Sequence, residues 1–243
     1  TRSRAWWQAR SLHAHFVVIS ADNDPTAPLR EDGFGVRRVV VDPQLGLVER
    51  LELTSALSSW GSEQAIRGRA AHLRSVFDGA FGQVLRIERR GEALSIATAI
   101  PVGIPLSDVL AAIEFKTITL SGDELLELAA SVVNAVAAMH ERVTSHAHGA
   151  LTPAHIVFQR DGSTILTGAF FIEALQSLER NREVLWREFG LALPSSASLP
   201  RFDLRGDVTQ LGAVVLAIAI RRSVRRDEYP RSTTDLVNAV ALS

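Results

Sequence analysis

The sequence predicts an α+β chain in two parts, a sheet-rich first part over residues 1–105 and a helical second part over residues 106–243. Three observations predict it. Short apolar and β-branched runs separated by turn signals (Asp42-Pro43, Gly46, Gly91) fill the first part, the pattern of antiparallel strands. A helical period then takes over at Ser121-Gly122-Asp123-Glu124, where a serine followed three residues later by a glutamate makes a capping box. Residues 211–220 are apolar apart from one glycine, and too few for the roughly 20 that span a bilayer, so they mark a buried helix.

Composition narrows the function classes. A chain of 243 residues, 47% hydrophobic and 22% charged, can bury a sizeable core. A net charge of -1 argues against a nucleic-acid or polyphosphate binder. The absence of cysteine excludes disulfides, thiolate nucleophiles and cysteine-ligated zinc, and fits a cytoplasmic protein. Lys116 is the one lysine; every other basic residue of this class is arginine. The chain opens on Thr1 rather than Met, as a piece of a longer protein would.

Taken in order, residues 1–12 with Trp6-Trp7 read as a short helix or arm, and 15–20 as a strand. A loop follows at Asp22-Asn23-Asp24-Pro25 and Pro28, and then a turn at Gly33-Phe34-Gly35 leads into a strand over 37–41. The turn Asp42-Pro43-Gln44-Leu45-Gly46 leads into a strand over 47–53. Ile66, Ala70, Leu73 and Phe77 recur at helical spacing over 62–77. Strands over 83–88 and 93–99 are joined through Arg89-Arg90-Gly91-Glu92. A linker over 100–106 then brings Ser107 to cap a helix over 108–113, and the boundary between the parts falls there.

In the second part a helix runs to residue 142 on a core stripe of Leu125, Leu128, Val132, Val136 and Met139, widened by Leu126, Ala129 and Val133. A loop and two short strands surround the turn Asp161-Gly162. Residues 172–189 read as one helix with Leu175, Leu178, Leu185 and Phe189 on one side, expected to pack plainly, plug a cleft or form a partner surface. A proline-flanked loop over 194–200 precedes the apolar helix that Asp207 opens. Arg221 to Arg226 read as a solvated helix end or an acidic partner's site, and residues 233–242 as a last short helix.

The run His148-Gly149-Ala150-Leu151-Thr152-Pro153-Ala154-His155 resembles the protein kinase catalytic loop H-R-D-L-x-x-x-N. Thr167-Gly168-Ala169-Phe170 is similar to the kinase x-D-F-G turn, Gly33-Phe34-Gly35 to the glycine-rich loop, and the helix from Asp207 to the buried helix of the large lobe. The resemblance spans most of the chain. It implies a two-lobed, α+β, protein kinase-like fold, a bacterial-type relative with residues 1–105 as small lobe and 106–243 as a helical large lobe, either trimmed or continued beyond Ser243. His148 and Asp207 would then be structural, Asp207 binding the catalytic-loop backbone.

The same resemblance implies that the chemistry has been removed. Ala150 stands at the catalytic base, and a methyl group accepts no proton. Thr152 stands where many kinases place a lysine on the transferred phosphate. His155 and Gly168 stand at the two metal-ligand positions, where magnesium wants oxygen donors. The strand lysine position falls to Arg50 or Glu52, depending on register; with Glu52 there, Arg67 or Arg69 would complete a reversed ion pair, the alternative being a solvated face. Arg30 and Asp32 replace the first two loop glycines, leaving Gly33 and Gly35 as a vestigial nucleotide loop.

No metal and no cofactor are expected. A zinc-like set of His146, His148 and His155 competes with loop-anchoring roles for the histidines, and a Ser145, His146, Asp161 triad competes with a turn role for Asp161. The expectation is a catalytically silent pseudokinase acting as a scaffold or allosteric module, cytoplasmic, with no nucleic acid and no membrane insertion. Its partner would be another protein or another domain of a longer chain. The alternatives are a switch that binds ATP without metal, and an unconventional transferase.

Overall fold

The computed structural model describes residues 30–76, 82–142, 147–195 and 198–241. The Trp6-Trp7 arm, the strand expected over 15–20, the loop at Asp22, and Ser145 and His146 lie outside the described residues. Strands β1 (Arg30–Asp32), β2 (Gly35–Asp42), β3 (Gly46–Leu53), β4 (Val84–Arg90) and β5 (Ala93–Thr98) form an antiparallel sheet in the order β1-β2-β3-β5-β4. Asp42 shapes the β2–β3 turn by accepting the Gln44 and Leu45 amides, and Gly46 closes it at φ 75°.

Register decides which side chains meet the rest of the molecule. Arg37 lies opposite Leu51, and Leu51 opposite Ile96. Leu51 and Ile96 are buried with Ile66 and Ala70 of helix α1 (Trp60–Val76), so this is the face turned toward α1, and Arg37 and Glu49 share it. Arg50 and Glu52 point the other way, Arg50 to Asp42 at 3.6 Å and Glu52 to Arg38 at 3.1 Å. This corrects the sequence expectation: the position facing α1 between them is Leu51. The reversed ion pair does not form either, since Arg67 binds Glu63.

A second sheet joins the parts. Strand β6 (Ile104–Pro105) pairs with β7 (Ile156–Phe158), which pairs with β8 (Thr164–Leu166). Gly103 permits this, because a Cβ there would sit 2.3 Å from the Phe158 carbonyl oxygen. Helix α2 (Leu106–Glu114) has Pro105 at its N-cap position, ahead of the expected Ser107 cap; Ser107 Oγ donates to Asp108 instead. Helix α3 (Gly122–Arg142) has its capping box, with Glu124 accepting the Ser121 amide at 2.7 Å and Ser121 Oγ the Glu124 amide at 3.3 Å. Its buried stripe is the narrow one, since Leu126 is 69% exposed.

The single helix expected over 172–189 is two, α4 (Ile172–Ser177) and α5 (Arg182–Phe189). Glu179 turns left-handed at φ 51° and Asn181 caps the new helix on the Val184 amide at 2.9 Å. Helix α6 (Leu204–Ala219) opens at an Asp203 cap, before Asp207, and is not apolar-buried all round, with Val208 62% exposed. The arginines after it are mostly exposed, as a solvated end would be, but three of them are tied down. Arg222 pairs with Glu228 at 2.6 Å, Arg221 donates to the Leu120 carbonyl and Arg226 to that of Trp186. Helix α7 (Thr233–Ala241) follows.

Two buried clusters hold the molecule. One lies within the helical part, between α2, α3, β7 and α6. The other runs from beneath the five-stranded sheet, through Phe34, to Ala150, Phe171, Leu175 and Phe189. The two parts therefore share a core across the cleft between them.

Candidate functional site

The loop over 147–155 is fixed from below by α6. Asp207, fully buried, accepts the His148 amide at 2.7 Å, the Gly149 amide at 2.8 Å and the His140 Nε2 hydrogen at 2.8 Å. One turn on, Gln210 accepts the Leu151 amide at 2.8 Å and donates to the Gly149 carbonyl at 3.2 Å. Both residues are spaced so that one helix face meets three residues of the loop, His148, Gly149 and Leu151. From the other side Arg69 of α1, itself buried, donates to the carbonyls of Ala147 and Ala169.

His148 stands inside this frame. Its Nδ1 accepts the Ala150 amide at 3.2 Å, and burial pushes its pKa down to about 3, against a smaller opposing pull from Asp207. Ala150 is fully buried, its methyl group packed in the shared core. The Thr152 hydroxyl makes no hydrogen bond among the described residues and lines a cavity of about 200 Å3 in front of the cleft, with Trp186, Phe189 and Gln210.

His155 is the hinge of the site. Its Nδ1 lies 2.7 Å from the Ala150 carbonyl, which can only accept, so Nδ1 carries the proton. Nε2 is then a bare lone pair, and Arg37 donates to it from 3.0 Å. Burial first and Arg37 second lower the pKa of His155 to about 4. Both ring nitrogens are spent, one on each lobe. Gly168 supplies no side chain, and at φ 82° its Cβ position lies 2.9 Å from the His155 ring.

The opposing loop is turned inward. Asp32 Oδ1 accepts the Phe34 amide at 2.8 Å and the Gly35 amide at 3.2 Å, the donors a phosphate would take in a glycine-rich loop. Arg37 faces Asp32 Oδ2 at 3.4 Å and Glu49 at 3.1 Å. The Phe34 ring is 1% exposed, 4.7 Å from His155, 4.8 Å from Phe171 and 5.3 Å from Phe189. Gly33 lies so close to α5 that a Cβ would meet the Glu188 carbonyl oxygen at 1.8 Å. Arg30 reaches Asp108 of α2 at 3.1 Å.

A magnesium nucleotide does not fit these residues. A carboxylate already holds the loop amides, and of the two positions that the kinase resemblance sets as metal ligands His155 has a guanidinium on its ring and Gly168 has no side chain; the Phe34 ring packs against His155 from the small lobe. Among the described residues no three histidine or carboxylate side chains are arranged to hold a metal ion. Asp161 is a turn residue, accepting the Ser163 amide and hydroxyl.

Sequence reasoning brought His148, Ala150, His155 and Gly168 to one place but missed Arg37, Glu49 and the Phe34 plug. An Arg37-Arg38 pair at the head of an apolar run, two residues past the loop glycine, puts one arginine on each face of the strand and was the available signal for Arg37.

No protein-family model and no curated protein matches the sequence. Among solved structures the chain is similar to the kinase domain of maize sucrose-induced receptor kinase 1, determined with AMP-PNP bound. The TM-score is 0.64 at 16% identity, over 89% of this chain and 78% of that chain. The class is thus a protein kinase-like fold, two-lobed and α+β. At this identity the likeness is one of fold, and activity rests on the site.

Proposed function

We propose that the chain is a catalytically silent pseudokinase that works by binding another protein or another domain of its own chain. One observation carries the reading: the loop at 148–155 keeps its full support from Asp207 and Gln210 while holding Ala150 at the base position and His155, committed to Arg37, at a metal-ligand position. Phosphoryl transfer depends on positioned cations and a proton acceptor rather than on covalent chemistry by the protein. With both replaced, the scaffold has no means of activating a hydroxyl or neutralising a transferred phosphoryl group.

A partner would find open apolar side chains on the helical lobe at Leu126 on α3, 69% exposed, and Val208 on α6, 62% exposed. Among the described residues no helix is long and apolar enough to cross a membrane. The test is transfer from γ-labelled ATP with magnesium to the chain itself and to generic peptide substrates. The reading expects no incorporation above a no-protein control; turnover that survives repurification would end it.

A further inference from the structure

We infer that the cleft is latched shut by groups the chain supplies itself, Asp32 standing where a phosphate would bind the loop and Arg37 where a cation would join the lobes. This rests on the pseudokinase reading and deepens it, because the closed arrangement then needs no nucleotide.

The latch is continuous. The Asp32 carboxylate fills the amide pair of Phe34 and Gly35 and turns its second oxygen to Arg37. Arg37 also donates from one terminal nitrogen to Glu49 within the sheet and from the other to His155 across the cleft. Buried to 6% exposure, that guanidinium is left with two carboxylates and a neutral imidazole as its surroundings, the environment a buried cation requires. His155 can serve only as the Nδ1–H form, since its other nitrogen must accept from an arginine that cannot deprotonate. The ring of Phe34 then seals the apolar side, and Arg30 to Asp108 ties the first strand of the same loop to α2. Four side chains within residues 30–37, those of Arg30, Asp32, Phe34 and Arg37, thus do the work that a bound nucleotide and its metal would do from outside.

The experiment is amide hydrogen exchange on the whole chain, without nucleotide, comparing wild type with Asp32→Ala and Arg37→Gln. Arg38→Gln is the control, because Arg38 pairs with Glu52 on the outer face of the same strands. Opening the latch should speed exchange about tenfold or more in both 33–41 and 148–158 while β4, β5 and α3 keep their wild-type rates. The control should leave 148–158 unchanged. Wild-type rates at 148–158 in both latch variants, or equal acceleration in the control, would overturn the latch. Should Arg37→Gln fail to fold, Arg30→Gln decides by the same comparison, its bond to Asp108 being part-exposed. Failure here leaves catalytic silence standing, and turnover in the transfer assay would sink that reading without altering these rates.

Discussion

Arg37 and His155 meet across the cleft, guanidinium to imidazole at 3.0 Å, one from the sheet and one from the loop of the helical lobe. That contact fixes the tautomer of the histidine and sets a permanent positive charge against its free lone pair.

Acid should destabilise the chain earlier than carboxylates alone would dictate. Burial lowers His148 to about 3 and His155 to about 4, from 6.5. Above 6.5 both are neutral folded or unfolded and contribute nothing to the pH dependence. As pH falls through 6.5 the unfolded chain binds protons that the folded chain refuses, so stability drops from there toward pH 4. The slope is up to about 1.4 kcal/mol per pH unit for each histidine. Urea melts between pH 7.5 and 4.5 measure it, and His155→Asn should reduce the slope by about one proton's worth.

Asp207→Ala should cost about 3 kcal/mol or more, read from the same melts. It strands two buried amides, those of His148 and Gly149, each worth about 1–3 kcal/mol when left without an acceptor. Asp207→Asn keeps one acceptor oxygen and should cost less. A loss below about 1 kcal/mol for the alanine variant would mean the loop is not held from α6.

Phe34→Ala distinguishes a plugged cleft from an open one. A ring at 1% exposure among Phe171, Phe189 and His155 should cost about 3–5 kcal/mol to remove. The same truncation at the tip of a solvent-exposed loop would shift the melting midpoint by almost nothing.

The loop frame was legible in the sequence because it is written in local spacing. His148, Leu151 and the helix from Asp207 keep fixed distances along the chain, and Asp207 and Gln210 share a helix face. The strand register was not legible. Val48 and Leu51 are both buried although they lie on opposite faces of β3, which erases the period-two signal that would have separated Arg50 and Glu52 from Leu51. The helix break before Asn181 was hidden for a similar reason: Leu175, Leu178, Leu185 and Phe189 keep a shared apolar side across it. The latch itself is a tertiary fact, joining residues 118 positions apart.

Restoring single kinase residues should not restore transfer. Ala150→Asp returns a proton acceptor but no metal site, so no labelled phosphate should be incorporated. Gly168→Asp should lower stability by about 1–3 kcal/mol or more, because a non-glycine residue must hold φ 82° with its Cβ 2.9 Å from the His155 ring. A folded Gly168→Asp variant as stable as wild type would contradict the packing described for His155.

The most direct measurement is a thermal melt of the wild-type chain titrated with millimolar ATP, with and without magnesium. A cleft already occupied by Asp32, Arg37 and Phe34 predicts an unchanged midpoint under both conditions. A rise that depends on magnesium, or one of equal size without it, would mean that a nucleotide displaces those side chains and that the cleft is not self-filled.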